Sequence, residues 1–218
     1  MVGRIVNLTS YQANFFLLPR HYSGRKPVIS KAFGWVVNDR LQAVITFGKP
    51  ASPAVCKGIC GDKWIDNVYE LNRLCREESF DLPLSMFVSA VLRKLKTEDW
   101  IIVSYSDTGM HHNGYIYQAC NFMFNGQTKE RTDPYTGENK HARHYTQDDL
   151  DRNIRVLRTA KNRYLYFCTN NKALKREWMN DLRHPILPYP KEENQNYVLG
   201  EYIKPILVDK TTGERIVI

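Results

Sequence analysis

The run Trp100-Ile101-Ile102-Val103 is the feature that most constrains how this chain can fold. Successive side chains of a strand point to opposite faces of a sheet, so a strand made of such a run is apolar on both faces. Strands of this kind lie inside sheets that are covered on both sides. We therefore predict a central strand over residues 99–105, in a sheet with helices packed on its faces.

Strand and helix patterns alternate on either side of that run. Residues 84–95 have the apolar spacing of a helix with one buried face, and two β-rich runs joined by a short polar connection predict a hairpin. This alternation implies one α/β domain over residues 1–218, with a central mixed sheet that is antiparallel early and parallel later, flanked by helices. A polar stretch near 127–150 reads as a loop or insertion. The predicted helices are near 10–18, 84–95, 115–119 and 172–182, and the predicted strands are near 32–37, 41–47, 68–74, 99–105, 122–124 and 164–167.

The charge balance favours acidic partners. There are 31 Lys and Arg against 23 Asp and Glu, a formal net charge of +8, which favours nucleic acid over a membrane. No apolar run approaches the ~20 residues of a membrane-spanning helix, and the first residues lack the pattern of a secretory signal. The five scattered cysteines fit reduced thiols. We expect a soluble, cytoplasmic protein that does not bind membranes.

A dense polar segment, residues 104–115, begins where the central strand ends. Ligands of open α/β sheets bind beyond the carboxyl ends of strands, which makes this segment a candidate site. Asp107 could act as a general base, and Tyr115 and Tyr117 could exchange a proton or stack on a base. The alternative is a simple turn in which Asp107 caps the next helix.

A basic loop, residues 20–26, forms a second candidate site. It combines Arg20, Arg25 and Lys26 with His21 and Tyr22, and it contains no acidic residue. These residue types suit a phosphate backbone together with a base or a metal. A solvated basic loop is the alternative.

Residues 70–74 place charged side chains in a strand that is otherwise apolar. Simple alternation puts Glu70 and Asn72 on one face and Leu71 and Arg73 on the other. A buried charge is costly unless it is paired or used. Glu70 and Arg73 are therefore either a structural ion pair or part of a site.

A third basic feature lies between residues 152 and 163. It has five cations with no Asp or Glu among them, which predicts a surface that follows a phosphate backbone, with a solvated face as the alternative. The five are Arg152, Arg155, Arg158, Lys161 and Arg163.

Several of these segments resemble the phage Mom family of DNA-modification proteins, which is similar in fold to the GCN5-related N-acetyltransferases. The matching segments occur in family order and span most of the chain. They are Arg20-His21-Tyr22-Ser23, Glu70-Leu71-Asn72-Arg73-Leu74, Ser104-Tyr105-Ser106-Asp107, Gly114-Tyr115-Ile116-Tyr117-Gln118-Ala119-Cys120-Asn121-Phe122, Asn162-Arg163-Tyr164-Leu165-Tyr166-Phe167 and Pro188-Tyr189-Pro190-Lys191.

The resemblance implies a transferase that adds a carbamoylmethyl (acetamido) group to the exocyclic N6 amine of adenine in double-stranded DNA. This would protect a bacteriophage genome from restriction, in the cytoplasm of the infected host. The family's functional positions fall on His21, Tyr22, Arg73, Ser85, Asp107 and Tyr117, with Arg73 and Ser85 also at the donor site. The DNA-binding set would be Arg20, Arg25, Lys26, Tyr115, Asn121, Arg152, Arg155, Arg158, Lys161 and Arg163.

The identity of the group donor and of any bound metal is left open by the sequence. Acetyltransferases of this fold hold coenzyme A with a glycine-rich turn, whereas residues 75–83 contain no glycine and several acids. The donor is therefore either acetyl-CoA or an aminoacyl-tRNA that supplies glycine. His21, Tyr22 and Asp107 offer nitrogen and oxygen ligands that iron accepts. A homodimer is left open. The alternative functions are a non-catalytic nucleic-acid-binding module and an acyltransferase of the same fold on another substrate.

Overall fold

A computed structural model describes residues 3–80, 82–137, 145–191, 195, 198–201 and 203–216. Six α-helices and eleven strands occur in these residues. The strands are β1 (Arg4–Asn7), β2 (Lys31–Val37), β3 (Arg40–Gly48), β4 (Val68–Arg76), β5 (Trp100–Asp107), β6 (Met123–Gln127), β7 (Arg131–Pro134), β8 (Ile154–Arg158), β9 (Lys161–Cys168), β10 (Leu207–Asp209) and β11 (Arg215–Ile216). The helices are α1 (Ser10–Leu17), α2 (Pro53–Cys60), α3 (Leu84–Leu95), α4 (Tyr115–Ala119), α5 (Gln147–Asp151) and α6 (Lys172–Asn180), with 3-10 turns at Asp62–Asn67 and Thr108–Met110.

The strands form two sheets. The larger sheet has the order β1-β2-β3-β4-β5-β9-β6, and the smaller sheet has the order β11-β10-β8-β7. Within the larger sheet β4 and β5 are parallel, and the other neighbouring pairs are antiparallel. The expected α/β class with a mixed, helix-flanked sheet is confirmed. Its parallel part is a single pair, because β9 and β6 return antiparallel to β5.

Apolar residues cover both faces of the central strand, as its sequence predicts. Ile102 lies in a core beneath α3 that includes Phe87 and Val91. On the opposite face, Ile101 and Val103 belong to a second core, built with α2 and α6. All three β5 residues are fully buried. A third core forms beneath α1.

The long periodic elements agree well with the prediction, and the short ones were missed. Helix α3 has the predicted bounds, and the hairpin is β2–β3. Strand β1, helix α2 and the whole smaller sheet were not predicted. The expected loop at 127–150 contains β7 and part of α5, and its residues 138–144 lie outside the described ranges. Strands of two to five residues carry too little periodicity to be recognised.

The parallel pair β4–β5 separates halfway along its length, which positions the candidate site. The two strands pair along three residues each, with Val68, Tyr69 and Glu70 of β4 opposite Ile101, Ile102 and Val103 of β5. Beyond this point β4 continues to Arg76 alongside β3, and β5 continues to Asp107 alongside β9. The carboxyl-terminal halves of the two parallel strands therefore leave a gap between them, where backbone and side chains can face a ligand.

Two further expectations concern cysteines and membranes. All five cysteines are buried, and none forms a disulfide. Within the described ranges, every helix is too short or too polar to cross a bilayer.

Candidate active site

A cavity of about 850 Å³ opens at the gap between β4 and β5. Five of the six positions that the family resemblance marks as functional line this cavity, although they come from four separate parts of the chain. The loop before β2 supplies two of them, β4 and β5 supply one each, and α4 supplies the fifth. They are His21, Tyr22, Arg73, Asp107 and Tyr117.

A β-bulge corrects the predicted alternation along β4. Thr46 of β3 lies opposite Arg73 and the next residue, Phe47, lies opposite Leu71, so Asn72 is an additional residue on β4. Leu71 packs in the core beneath α3, whereas Glu70 and Arg73 both line the cavity. The prediction that Arg73 shares a face with Leu71 is therefore wrong, because the bulge shifts the alternation by one residue.

Arg73 holds the basic loop against the sheet. Its guanidinium donates to the carbonyl oxygens of Asn72 at 2.6 Å and Arg25 at 3.3 Å, while its Nε is buried and has no hydrogen-bond partner among the described residues. The Asn72 side chain adds a bond to the carbonyl of Val28 at 2.7 Å. Burial lowers the pKa of Arg73, while Tyr22 and Glu70 oppose that shift. The bulge thus fixes the loop that carries His21 and Tyr22.

His21 is held as a neutral imidazole. Its Nδ1 accepts a hydrogen bond from the Ser23 amide at 3.2 Å, so the ring proton lies on Nε2. Burial, followed by repulsion from Arg73 and His112, lowers the pKa of His21 to about 3. At neutral pH, His21 therefore offers an N–H donor and not a positive charge.

Tyr22 lies against His21 and forms an aromatic wall. The two rings are stacked with centroids 4.5 Å apart, and His112 meets Tyr22 edge-on at 6.0 Å. Burial and the negative charge of Asp107 raise the pKa of Tyr22, so its hydroxyl stays protonated at neutral pH. A flat ligand such as a nucleobase suits a wall of this kind.

Asp107 is held by three donors at the end of β5. Its Oδ1 accepts from the Thr159 hydroxyl at 2.5 Å and from the Gly109 amide at 3.1 Å. Its Oδ2 lies 3.2 Å from Nζ of Lys161. Asp107 also caps the 3-10 turn that follows it, as the turn interpretation proposed.

Helix α4 brings Tyr117 to the cavity, and its start depends on glycine. Gly114 has a φ of +81°, and a Cβ at this position would lie 2.3 Å from the ring of Tyr164. Ser104 donates to the carbonyl of Leu71 at 2.8 Å, and its hydroxyl partly offsets the rise that burial causes in the pKa of Tyr117. Burial raises the pKa of Tyr117. Tyr115, which is 64% exposed, lies at the cavity mouth.

Several predicted binding residues lie elsewhere. Ser85 is in the first turn of α3, where its carbonyl accepts from Cys120, while its neighbour Leu84 lines the cavity. Asn121 is exposed in the turn after α4. Arg20 forms a salt bridge with Glu77 at 2.6 Å, so its charge is already balanced, and phosphate contact by Arg20 stays a prediction.

The basic run at 152–163 meets acidic residues from other segments. Arg152 pairs with Asp149 of α5 at 3.4 Å, and Arg158 pairs with Asp133 of β7 at 2.8 Å. Lys161 pairs with Asp107, while Arg155 and Arg163 donate to backbone carbonyls. The run is therefore partly neutralised. Only two of its members, Arg158 and Lys161, line the cavity, as do Arg25 and Lys26.

Two of the three residues proposed to bind iron already make protein contacts. His21, Tyr22 and Asp107 line the same cavity, but the Ser23 amide occupies Nδ1 of His21 and three donors surround Asp107. The described residues contain no group of three or more His, Cys, Asp or Glu that could hold a metal ion. We therefore derive no chemistry through iron.

Sequence reasoning missed Thr159, and it gave no role to His112, which lies within the polar segment 104–115. Thr159 binds Asp107 from the turn between β8 and β9, and His112 packs against Tyr22. The glycine at position 109 fits the contact between Thr159 and Asp107, because a Cβ there would lie 2.4 Å from the Thr159 side chain. The contact itself depends on pairing between strands far apart in sequence.

The mixed sheet, the gap between β4 and β5, and the cavity at that gap agree with the α/β fold that the resemblance implied. The chain matches the Mom protein family over residues 4–191 and belongs to that family. No curated protein matches it.

Several solved acetyltransferases are similar in fold. An N-acetyltransferase from Staphylococcus aureus Mu50 is 13% identical with a TM-score of 0.48, over 78% of this chain and 100% of that one. The ribosomal-protein-S18-alanine N-acetyltransferase from Escherichia coli is 9% identical with a TM-score of 0.46, over 78% and 96%. A Bacillus subtilis acetyltransferase in complex with CoA is 16% identical with a TM-score of 0.44, over 76% and 99%. These similarities are too distant to indicate a substrate.

Proposed function

We propose that this protein is a transferase that modifies the N6 amine of adenine in double-stranded DNA, adding a carbamoylmethyl group. The observation that carries the proposal is the convergence of His21, Tyr22, Arg73, Asp107 and Tyr117 on one cavity. These positions lie between residues 21 and 117, and nothing in their spacing along the chain brings them together.

The cavity suits an extrahelical base. Adenine's amine is inaccessible in stacked DNA, so an enzyme that modifies it must extrude the base into a pocket. The volume of about 850 Å³ lies within the range of small-molecule sites, and the stacked rings of His21 and Tyr22 offer a surface for a base. Tyr115 at the mouth could stack on a neighbouring base or on the extruded one.

The polar groups of the cavity suit group transfer to an amine. Adenine's N6 is a weak nucleophile because its lone pair is delocalised into the ring, so its proton must be removed as the new bond forms. Neutral His21 can donate to an oxygen that gains negative charge in the transition state. Tyr117, protonated at neutral pH, is a second donor of this kind. From the sequence, Asp107 is the residue expected to accept the proton that the amine loses.

The donor is proposed to carry an activated two-carbon group on coenzyme A or on a glycyl aminoacyl-tRNA. The start of α3 favours the first donor, because its first turn has no acidic residue and Pro83 provides no capping side chain. The same feature favours the second candidate function, an acyltransferase acting on another amine. Tight binding of acetyl-CoA to the purified protein, with turnover in the absence of tRNA, would exclude the aminoacyl-tRNA donor.

Nucleoside mass spectrometry of plasmid DNA tests the proposed function. Cells would express the wild type or an Asp107→Ala variant at matched levels. We expect adenosine with the added mass of a carbamoylmethyl group only with the wild type, because the variant loses the contacts that fix the end of β5. Unmodified DNA from a soluble wild type that binds duplex DNA would favour the non-catalytic binding module.

DNA binding itself has a separate signature. If the exposed cations contact phosphates, the affinity for duplex DNA falls as salt is added, because bound counterions are released on association. An affinity that is insensitive to salt would favour the acyltransferase on another substrate. A cytoplasmic location and action on a phage genome remain part of the proposal.

A further inference from the structure

Two carboxylates line the cavity, and their surroundings differ. Asp107 lies at the end of β5, and Glu70 lies at the point on β4 where pairing with β5 ends. A group that removes a proton from a substrate must present an available lone pair to the cavity. The two carboxylates therefore differ in suitability according to how many donors already occupy their oxygens.

Asp107 already accepts from three donors. The Thr159 hydroxyl and the Gly109 amide bind one oxygen, and the ammonium of Lys161 binds the other. If this carboxylate accepted a proton, at least one of these contacts would weaken, and one of them is the ion pair with Lys161. The geometry suits a group that fixes the end of β5 and the position of Lys161.

Glu70 is differently placed. Among the described residues, none donates a hydrogen bond to its side chain or forms an ion pair with it within 4.0 Å. Its carboxylate is partly buried and faces the cavity. Position 70 is also the last residue paired to β5, opposite Val103, so it lies at the base of the gap. A flat ligand that enters between the strands would approach this carboxylate.

We propose that Glu70, and not Asp107, accepts the proton that the adenine amine loses during transfer. This inference rests on the proposed function. In the step, the N6 lone pair attacks the methylene carbon of a donor that carries the carbamoylmethyl group on a leaving group. The N6–C bond forms as the bond to the leaving group breaks, and that electron pair departs with the leaving group. The N6 proton moves to a Glu70 oxygen.

The environment of Glu70 supports this role. Burial raises the pKa of Glu70, and the positive charges of Arg73 and Lys161 partly offset the rise. A carboxylate with a raised pKa accepts a proton more readily than an ordinary one. The titratable and charged groups that interact with it come from β4, β9, β5, α4 and α2, and they are Arg73, Lys161, Tyr105, Tyr117 and Cys56.

The first test compares Glu70→Gln with Asp107→Asn by the amount of modified adenosine in plasmid DNA. Glutamine keeps the size of glutamate and accepts a hydrogen bond, but it cannot take the proton. We expect Glu70→Gln to lower modification by about 100-fold or more, as for the loss of a general base. Asp107→Asn keeps an acceptor for Thr159 and Gly109, so we expect a smaller loss, about 10-fold. Glu214→Gln, an exposed position, is the matched control and should equal the wild type.

The outcomes separate the inference from the proposed function. The role of Glu70 would be overturned if Glu70→Gln kept one third of the wild-type modification or more, or if only Asp107→Asn fell below the control. Either result would leave the proposed function intact. Absence of modified adenosine from wild-type cells would overturn both. A folding defect is checked by thermal melting, where we expect Glu70→Gln to be at least as stable as the wild type because no charge is then desolvated.

A second test does not depend on turnover. Carbon-13 labelling of glutamate side chains allows the Glu70 carboxyl signal to be identified by its absence in Glu70→Gln. We expect this signal to titrate above the other glutamates and to move when 2′-deoxyadenosine is added. A Glu70 signal that titrates like exposed glutamates and is unaffected by the nucleoside would contradict the inference.

Discussion

The two halves of the β4–β5 pair differ in almost every respect. In the paired half, Val68 and Ile101 face each other in register and both are fully buried. In the separated half, the strands turn to other partners and present Arg73 and Asp107 to a cavity. One pair of adjacent strands thus serves as core at one end and as a polar site at the other. The difference shows that the site is made by ending a strand pairing.

The bulge at Asn72 accounts for much of this difference. It moves Arg73 to the cavity side, and Arg73 in turn holds the carbonyl of Arg25 in the loop that carries His21. A local insertion in one strand therefore organises a loop whose contact with Arg73 lies 48 positions earlier in the chain. Bulges commonly redirect side chains in this way next to functional sites.

The largest expected effect on stability lies in the paired half. Ile101→Ala should lower the free energy of unfolding by about 2–5 kcal/mol, because it leaves a cavity in the core. Ser106→Ala in the separated half should change it by less than about 0.5 kcal/mol, since the buried Ser106 hydroxyl has no hydrogen-bond partner within the part of the chain that the structure describes. Denaturant unfolding of both variants measures this contrast. Equal losses would contradict the division into core and site.

Glycine provides the next contrast. Gly114→Ala should destabilise by about 2 kcal/mol or more, because a φ of +81° and the contact with Tyr164 both oppose a Cβ. Gly58→Ala in α2 meets no atom within 4 Å and should stabilise by about 0.5–1 kcal/mol. Thermal melting of the two variants tests this. A neutral Gly114→Ala would show that α4 begins differently.

The pH dependence of stability tests the neutral state of His21. Its folded-state pKa of about 3 lies below the unfolded value of 6.5, so the unfolded state binds more protons between these values. The free energy of unfolding should therefore fall as pH decreases below 6.5, by about 1 kcal/mol between pH 7 and 5.5. His21→Gln should remove that part of the slope. An unchanged slope would show that folding does not lower the pKa of His21.

The smallest effect concerns the cations around the cavity. Lys26 is exposed and lines the mouth, whereas the charge of Arg158 is balanced by Asp133. Lys26→Ala should reduce the salt dependence of duplex binding by about one counterion, and Arg158→Ala should reduce it by less. Affinity titrations at several salt concentrations give both slopes. A larger change in salt dependence with Arg158→Ala would indicate that the DNA interface lies on the smaller sheet.

Sequence patterns predicted the core more completely than the site. Helix α3 was found because burial of one face imposes a periodic pattern on its residues, and the central strand β5 was found because burial of both faces makes its residues continuously apolar. The clustering of His21, Arg73 and Asp107 was implied only by the family resemblance, since nothing in their spacing reports a contact. The bulge at Asn72 could not be predicted by alternation, because it is defined by pairing with β3. The partners of Arg158 and Lys161 likewise come from distant segments.

The most direct test of the account removes the same hydroxyl from each half of the β4–β5 region. Tyr117→Phe acts at the cavity, and Tyr69→Phe acts in the paired half, where Tyr69 stacks on Trp100. Modified adenosine in plasmid DNA is measured by mass spectrometry from cells that express each variant and the wild type. We expect a loss of about 10-fold or more for Tyr117→Phe and wild-type modification for Tyr69→Phe. Equal modification by the two variants, or none by the wild type, would contradict it.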